Sequence, residues 1–452
     1  MSKLPMDVIT DVLYRLPVKT LVRFKSLSKS CCSLIDDPDF IRAHLNRSVR
    51  TGSNLNIILK GLHLYSVEFD TLDVAVPLDC PLSLGACTEA FGSCDGLLAI
   101  HMSDKNVALY NPSTRQFRRL PVSEIDPPQG ESCRPGYVFF GFGQDVRTND
   151  YKVVRMAQFN ENDDEDDEGH SFDYEVKVYS LKNDCWRKIT KLPFYLRFMF
   201  QFFYHLLHRR GYGVLAAGVL HWVMPPRMEL GIFSNKIVGF DLGTEEFTEV
   251  PQPECADRGF LLDVGVLEGC LCAVCNYDQV NIDVWVMKEY GVKESWTRLL
   301  SVKKTRAVNP LTFSKPLAYS KYRDKVLLEV NNQKFAWYDL QKKKMRSVKI
   351  GGSLGSFGAE VYVGSLIPIE DQKRTENQKQ NQQDEPSLRK GNRKKRDDFL
   401  SQGFKLNVVW INRGTRVVHS GDEFGTDADP PSRLILEFEM EWLFCHPKAT
   451  LK

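Results

Sequence analysis

Few residues in this chain stand in a pattern that could do chemistry. Three cysteines, Cys270, Cys272 and Cys275, fall together in GCLCAVCNYD, a cluster of the kind that holds zinc when a fourth ligand is near. No second cysteine or histidine pair lies at zinc-finger spacing beside them. On an extended strand Cys270 and Cys272 would point the same way, as small buried apolar groups. His205 and His208 form a His-x-x-His pair in FYLRFMFQFFYHLLHRRGYG (194–213), without the third ligand or carboxylate base that metal binding or proton transfer requires. The acidic run NENDDEDDEGHS (160–171) lacks the spacing and glycine of a calcium loop, and its like charges repel one another into a solvated loop. No nucleophile stands beside a base, and there is no glycine-rich phosphate loop. The sequence assigns no catalytic residue, metal ligand or cofactor, so a non-catalytic binding protein is expected.

Residues suited to binding are easier to find. The aromatic run 194–213 reads as a short helix or buried excursion across one face of a domain, and it nominates Phe202, Tyr204 and His205, with Trp222 from the following run GVLHWV, as a substrate-reading face. Core packing under a long loop is the alternative for such a stretch. Arg389, Lys390, Arg393, Lys394, Lys395 and Arg396 in RKGNRKKR form a basic run that reads either as a nuclear address or contact for an acidic partner, or as a solubilising linker. It has no aromatic residues to stack on bases, and the net charge over 452 residues is only +2, so nucleic acid is not an expected partner. With 42% hydrophobic and 26% charged residues the composition is that of an ordinary globular protein. No apolar run reaches the ~18 residues of a spanning helix, and no signal peptide is seen. Twelve scattered cysteines fit a reducing compartment. The expected location is the cytoplasm and nucleus, with no membrane partner.

The elements that must carry these residues repeat. Six hairpin-like runs follow one another: LYSVEFDTLDVAV, LYNPSTRQFRRL, VYSLKNDCWRKI, GFDLGTEEFTEV, VWVMKEYGVKESWTRLL and WYDLQKKKMRSV. Five are preceded by another strand-like run, GLLAI, YKVVRM, GVLHWV, GCLCAV or KVLLEV. Antiparallel sheet repeated at roughly fifty residues is the signature of propeller blades, which bury both faces only when stacked in a ring. The first run, NLNIILKG, and the last, AEVYVGSLI, could share a blade and fasten that ring. A mainly β, six-bladed propeller is expected over 54–367. After it, 370–398 is polar and cannot support a core. The tail 399–452 has no evident role.

Ahead of the propeller, residues 1–46 read as three or four short helices. The first is expected from about Pro5 to Arg15, with Met6, Ile9, Val12, Leu13 and Leu16 on one apolar stripe. Pro17 ends it, Leu21, Val22, Phe24 and Leu27 continue in a second, Ser28 can cap a third, and Asp37-Pro38 starts a fourth. So small a segment buries little of its own apolar surface. Leu4, Pro5, Ile9 and Leu13 are therefore offered to another protein or cap the domain that follows.

This segment resembles the F-box: Leu4-Pro5, Ile9, Leu13, Leu16-Pro17, Leu21, Lys25, Ser30, Leu34-Ile35 and Asp37-Pro38-Asp39-Phe40 match its pattern, with Cys31 where many F-boxes carry tryptophan. The resemblance implies docking on the Skp1 adaptor, and through it on cullin-1. Leu4, Pro5, Ile9, Leu13, Leu16, Pro17 and Leu21 are implied for that contact, the first few by exposed contact and the rest by holding the helices in shape. Residues 90–350 resemble the kelch-like F-box-associated domain of plant proteins, through FGSCDGLLAI, LYNPSTRQFRRLP, GFGQDVRTNDYKVVRM and YEVKVYSLKNDCWRKI. Further runs, among them YHLLHRRGYGVLA and DVWVMKEYGVKESWT, are similar to one plant member that restrains defence signalling. That similarity implies an SCF-type ubiquitin ligase subunit that recruits intracellular NLR immune receptors for degradation. The alternative is a propeller enzyme or carbohydrate-binding module regulated through its F-box. Carboxylates and arginines at the tunnel mouth would favour it, whereas a wide apolar face would favour a protein partner.

Overall fold

The computed structural model describes residues 6–60, 63–79, 89–127, 135, 137–159, 173–189, 212–224, 236–254, 261–277, 280–303, 314–351 and 357–369. Four helices come first: α1 (Met6–Tyr14), α2 (Val18–Phe24), α3 (Lys29–Ile35) and α4 (Pro38–Thr51). The expected caps are in place. Ser28 Oγ accepts the Cys31 N–H at 3.1 Å, and Asp37 Oδ1 accepts the N–H groups of Asp39 and Phe40 at 3.0 Å, satisfying donors that a helix start leaves orphaned. α4 runs five residues past the expected boundary at 46 and stops at Gly52, whose φ of +65° is the left-handed cap that glycine tolerates best.

The remaining described elements are twenty-four strands in six four-stranded antiparallel sheets and one short 3-10 turn, Lys293–Ser295. The first sheet joins β24 (Gly358–Val363), β1 (Leu55–Lys60), β2 (Leu64–Glu68) and β3 (Ala75–Pro77) in that order. The others run in chain order: β4 to β7 (89–119), β8 to β11 (137–189), β12 to β15 (214–250), β16 to β19 (261–303) and β20 to β23 (314–348). The innermost strands β24, β4, β8, β12, β16 and β20 neighbour one another around a closed ring. The chain's last blade strand thus completes its first blade, with Leu55 paired to Val363 and Lys60 to Gly358.

Each gap between blades holds its own apolar core, and the second strand of each blade is accordingly buried on both faces through its middle. In β1, Ile57 packs toward the sixth blade and Ile58 toward the second. In β17 (Cys270–Tyr277), Cys272 faces the sixth blade while Cys275 faces the fourth. The cysteine cluster is therefore divided between two cores by the twofold alternation of a strand. Outer strands are tied backward by tryptophan: Trp186 Nε1–H donates to Pro121 O and Trp296 Nε1–H to Pro251 O, both at 2.8 Å, each bridging to the blade before.

The F-box sits on one end of the ring. Its core of Leu13, Val18, Leu21, Ile35, Phe40 and Ile41 includes Leu366, from the segment that continues past β24. That segment is held on the second blade: Asn111 Nδ2 donates to Ser365 O and Ile367 O, and Ser365 Oγ donates to Asp95 O at 2.6 Å. Arg42 of α4 donates to Asn149 Oδ1 on the third blade at 2.9 Å, and Asn54 Nδ2 donates to Ser48 Oγ at 2.8 Å. Gly96 permits this seam. Its φ is +80°, and a Cβ there would lie 2.3 Å from Ser365 Oγ.

Gly96→Ala should lower stability by about 2 kcal/mol or more and loosen α4 in hydrogen exchange. Gly218→Ala and Gly269→Ala, with similar φ but nothing within 4 Å of the added carbon, should show turn strain alone. His221 is fully buried, with Nδ1 3.1 Å from Val214 O and Nε2 2.8 Å from Tyr290 Oη. Burial pushes its pKa down to about 4, so the folded protein binds fewer protons than the unfolded chain below its ordinary value. Its contribution is present above pH ~6.5 and lost as pH falls toward 4. His221→Gln should flatten the thermal-stability profile across that window relative to wild type.

Candidate functional site

The helical face turned to solvent is a candidate docking site. α1 and α2 bury Leu13 and Leu21, at 4% and 0% exposure, against α3 and α4, while Ile9 and Leu16 are half-buried. Tyr14 stacks on Phe40 with centroids 4.7 Å apart, and His44 Nε2 lies 2.9 Å from Leu16 O, so the α1–α2 corner rests on α4. Lys25 of the turn after α2 pairs with Asp36 after α3. Outward from this frame point Val12 (51% exposed), Val22 (36%) and Leu27 (67%), with exposed Pro17 at the corner.

The expected stripe divides in the structure: Leu13, expected among the residues offered to a partner, is buried, while Val12 points outward. Leu13, three residues before Leu16 and four after Ile9, lies nearer the middle of the buried arc than Val12 does. Val22 and Leu27 went unselected as docking residues because an apolar side chain meant for a partner is the same residue type as one meant for a core. Leu4 and Pro5 lie outside the described residues.

The second candidate is the channel through the ring, a cavity of about 1000 Å³. Its wall is mixed. Phe91, Phe142, Val264 and Leu317 supply apolar surface, while Lys60 and Glu360 form an ion pair at 2.8 Å. Desolvation pushes the Glu360 carboxyl up, but Lys60 and Lys315 more than offset it and hold it below its ordinary range. Tyr212, entering the fourth blade, reaches across to the second: its hydroxyl donates to Glu89 and lies 2.8 Å from His101 Nε2. Lys60 Nζ stands 5.6 Å from the Tyr212 ring centroid. Among the described residues no group of three or more His, Cys, Asp or Glu is placed to hold a metal ion, and no helix is long and apolar enough to cross a membrane.

Trp222 is 3% exposed. Its ring packs between the third and fourth blades, where Gly141 and Gly213 leave the room it fills: a Cβ on either would come within 3 Å of it. Its ring edge borders the channel, so the structure gives it a core position in place of an open reading face. Phe202, Tyr204, His205 and His208 lie outside the described residues, as do the acidic run 160–171, the basic run 389–396 and the tail.

The two ends of the ring differ. The F-box end is marked by Asn149, which accepts from Arg42 of α4, and by Asp95 and Asn111, which hold the 365–367 segment that enters the helical core, all at turns within blades. The connections between blades, 120–136, 190–213, 251–260 and 304–313, join strand ends at the opposite end, as does 160–172 within the third blade.

Comparison with known proteins follows the same division. Residues 1–43 match the F-box domain and residues 55–369 match the F-box associated beta propeller domain. "F-box protein CPR1" of Arabidopsis thaliana is 49% identical over 415 residues, spanning 90% of this chain and all of that protein. "F-box protein At4g22390" of the same plant is 38% identical over 410 residues, again 90% of this chain and all of the relative. Among solved structures, an oligogalacturonate lyase in complex with manganese aligns with a TM-score of 0.36 and 10% identity over 63% of this chain and 70% of that one, too slight a likeness to bear on fold or chemistry. Helices, closed ring and sequence agree that the chain belongs to the F-box proteins with an F-box-associated β-propeller, as a CPR1-like plant member.

Proposed function

We propose that this chain is the substrate-recognition subunit of an SCF ubiquitin ligase, with α1 and α2 docking on Skp1 and through it on cullin-1. An F-box implies that assembly. The observation that supports it here is the outward apolar set Val12, Pro17, Val22 and Leu27, exposed although Leu13, Val18 and Leu21 already fill the helices' own core. Ile9 and Leu16, half-buried, border that set, whereas Leu13 and Leu21 hold the helices beneath it. The propeller end away from the F-box, bearing the long connections, reads the target. The chain's own contribution is positional. It holds target lysines near a charged ubiquitin-conjugating enzyme, which raises their effective concentration without any reacting group of its own. The finer reading, supported by likeness to CPR1, is that the targets are intracellular NLR immune receptors and that their turnover restrains plant defence. The protein then works in the cytoplasm and nucleus, the basic run 389–396 serving as nuclear address.

The docking surface is tested by Val12→Glu with Val22→Glu. Both positions are exposed, so thermal stability should stay near wild type, while burying two carboxylates against Skp1 should cost at least ~3 kcal/mol, about 100-fold in affinity. Skp1 capture equal to wild type would overturn the assignment. Leu13→Asp is the contrasting variant, expected to unfold the helices themselves. For the target, NLR receptors should co-purify with the chain when the proteasome is inhibited and should lengthen in half-life in cells carrying the double variant. An unchanged half-life would contradict the finer reading.

A further inference from the structure

Blade six presents an unusual surface at the F-box end of the ring. Its first turn, Ser320 to Lys325, and its outer turn, Asp339 to Lys344, are bonded together by Leu340 N–H donating to Asp324 O at 2.9 Å. Between them they carry Lys321, Arg323, Lys325, Lys342, Lys343 and Lys344. The acidic groups beside them are Asp324, Asp339 and Glu268, three against six, and two of these are also engaged in shaping the turns. Asp339 Oδ1 accepts the N–H groups of Gln341 and Lys342 at 3.1 and 2.8 Å, and Asp324 Oδ1 accepts Ser320 Oγ–H at 2.6 Å. Glu268 pairs with Arg323, whose guanidinium lies 4.5 Å over the Tyr319 ring.

From the middle of this basic surface Tyr322 projects, 83% exposed. Charged turns are ordinarily just solvated, and one exposed aromatic is unremarkable. The combination is different. An aromatic held on a fixed turn, flanked by lysine and arginine, is the composition of an interface anchor, where Tyr and Arg are enriched.

Position says which partner. Lys321 and Arg323 line the same channel mouth as Val49 and Arg50 of the last turn of α4, so the surface continues from the F-box across that mouth. It faces away from the end that bears the long connections. We infer that the blade-six turns around Tyr322 form a second contact for the adaptor that the F-box holds, taking an acidic stretch of Skp1 beyond the F-box groove. This rests on the SCF reading above. A nucleic acid fits less well, because carboxylates interrupt the cations and Tyr322 is the one strongly exposed aromatic among the described residues.

The test measures Skp1 affinity of the full chain across a salt series for four proteins: wild type, Tyr322→Ala, Lys321→Glu with Lys342→Glu and Lys343→Glu, and the F-box double variant Val12→Glu with Val22→Glu. Tyr322→Ala and the triple variant should each weaken Skp1 binding about 10-fold at low salt. The triple variant's deficit should shrink as salt screens it, while the deficit of Tyr322→Ala persists. Melting temperatures should not move, since every altered side chain is exposed or at a turn. Wild-type affinity in both variants would overturn the second contact, as would a loss confined to binding of heparin or RNA as polyanion probes. Intact Skp1 binding by the F-box double variant would instead overturn the SCF docking reading, so the two failures are distinguishable.

Discussion

The pairing of β1 with β24 is the interaction on which the rest of the molecule depends. It joins residues some three hundred positions apart, from Leu55 with Val363 to Lys60 with Gly358, and so incurs the largest loop-closure entropy in the described structure. Once made, it converts six sheets, each too thin to bury its own faces, into six shared cores. Ile57 and Ile58, adjacent in sequence, then serve two of those cores at once. The same closure carries the chain past Val363 so that Ser365 reaches Asp95 and Leu366 enters the helical core. Ring closure and F-box attachment thus share one stretch of chain, from β24 to Leu366.

That attachment gives function its geometry. A seam built from Asn111, Ser365, Leu366 and the Arg42–Asn149 bond holds the helices on the ring, which is what the proposed ligase role asks of a subunit that acts by position. The Lys60–Glu360 pair and the Tyr212 strut brace the channel from within. Arg155, buried and bonded to Glu175 at 3.1 Å and to the carbonyls of Ser123 and Glu124, stiffens the gap between the second and third blades. Buried charge of this kind adds little net stability but penalises any other arrangement of the blades.

Much of this was legible in the residues, and the divisions between what was and was not have physical causes. The outer hairpins could be read because their turns are marked and their strands carry the residue that packs: Asn-Pro in LYNPSTRQF, Lys-Asn-Asp ahead of Trp186, Gly-Thr ahead of Phe247. Apart from β24, within AEVYVGSLI, the innermost strands could not. β12 is three residues long, β4 is broken by a bulge between Ala90 and Gly92, and β8 carries Gly141 and Gly143 to admit neighbouring side chains, so none shows a strand's ordinary pattern. The α4 cap at Gly52 also escaped, which put the helical boundary too early. The docking residues were half legible. The F-box pattern located the helices, but exposed Val12, Val22 and Leu27 are the same residue types as buried Leu13, Val18 and Leu21, so which apolar side chains face outward was not marked. Tyr322 was invisible for the same reason: a tyrosine in a turn announces nothing until its exposure is known.

The welded seam between helices and ring is tested most directly by pulsed electron resonance. The distance to measure runs between spin labels at position 19 on α2 and position 346 on β23, introduced as non-canonical side chains that leave the twelve cysteines untouched. Both positions are exposed. A single narrow distribution, unchanged when Skp1 is added, is the expected result. A broad or two-peaked distribution would mean that the F-box swings on the propeller, and would contradict a receptor that works by holding its two ends in fixed relation.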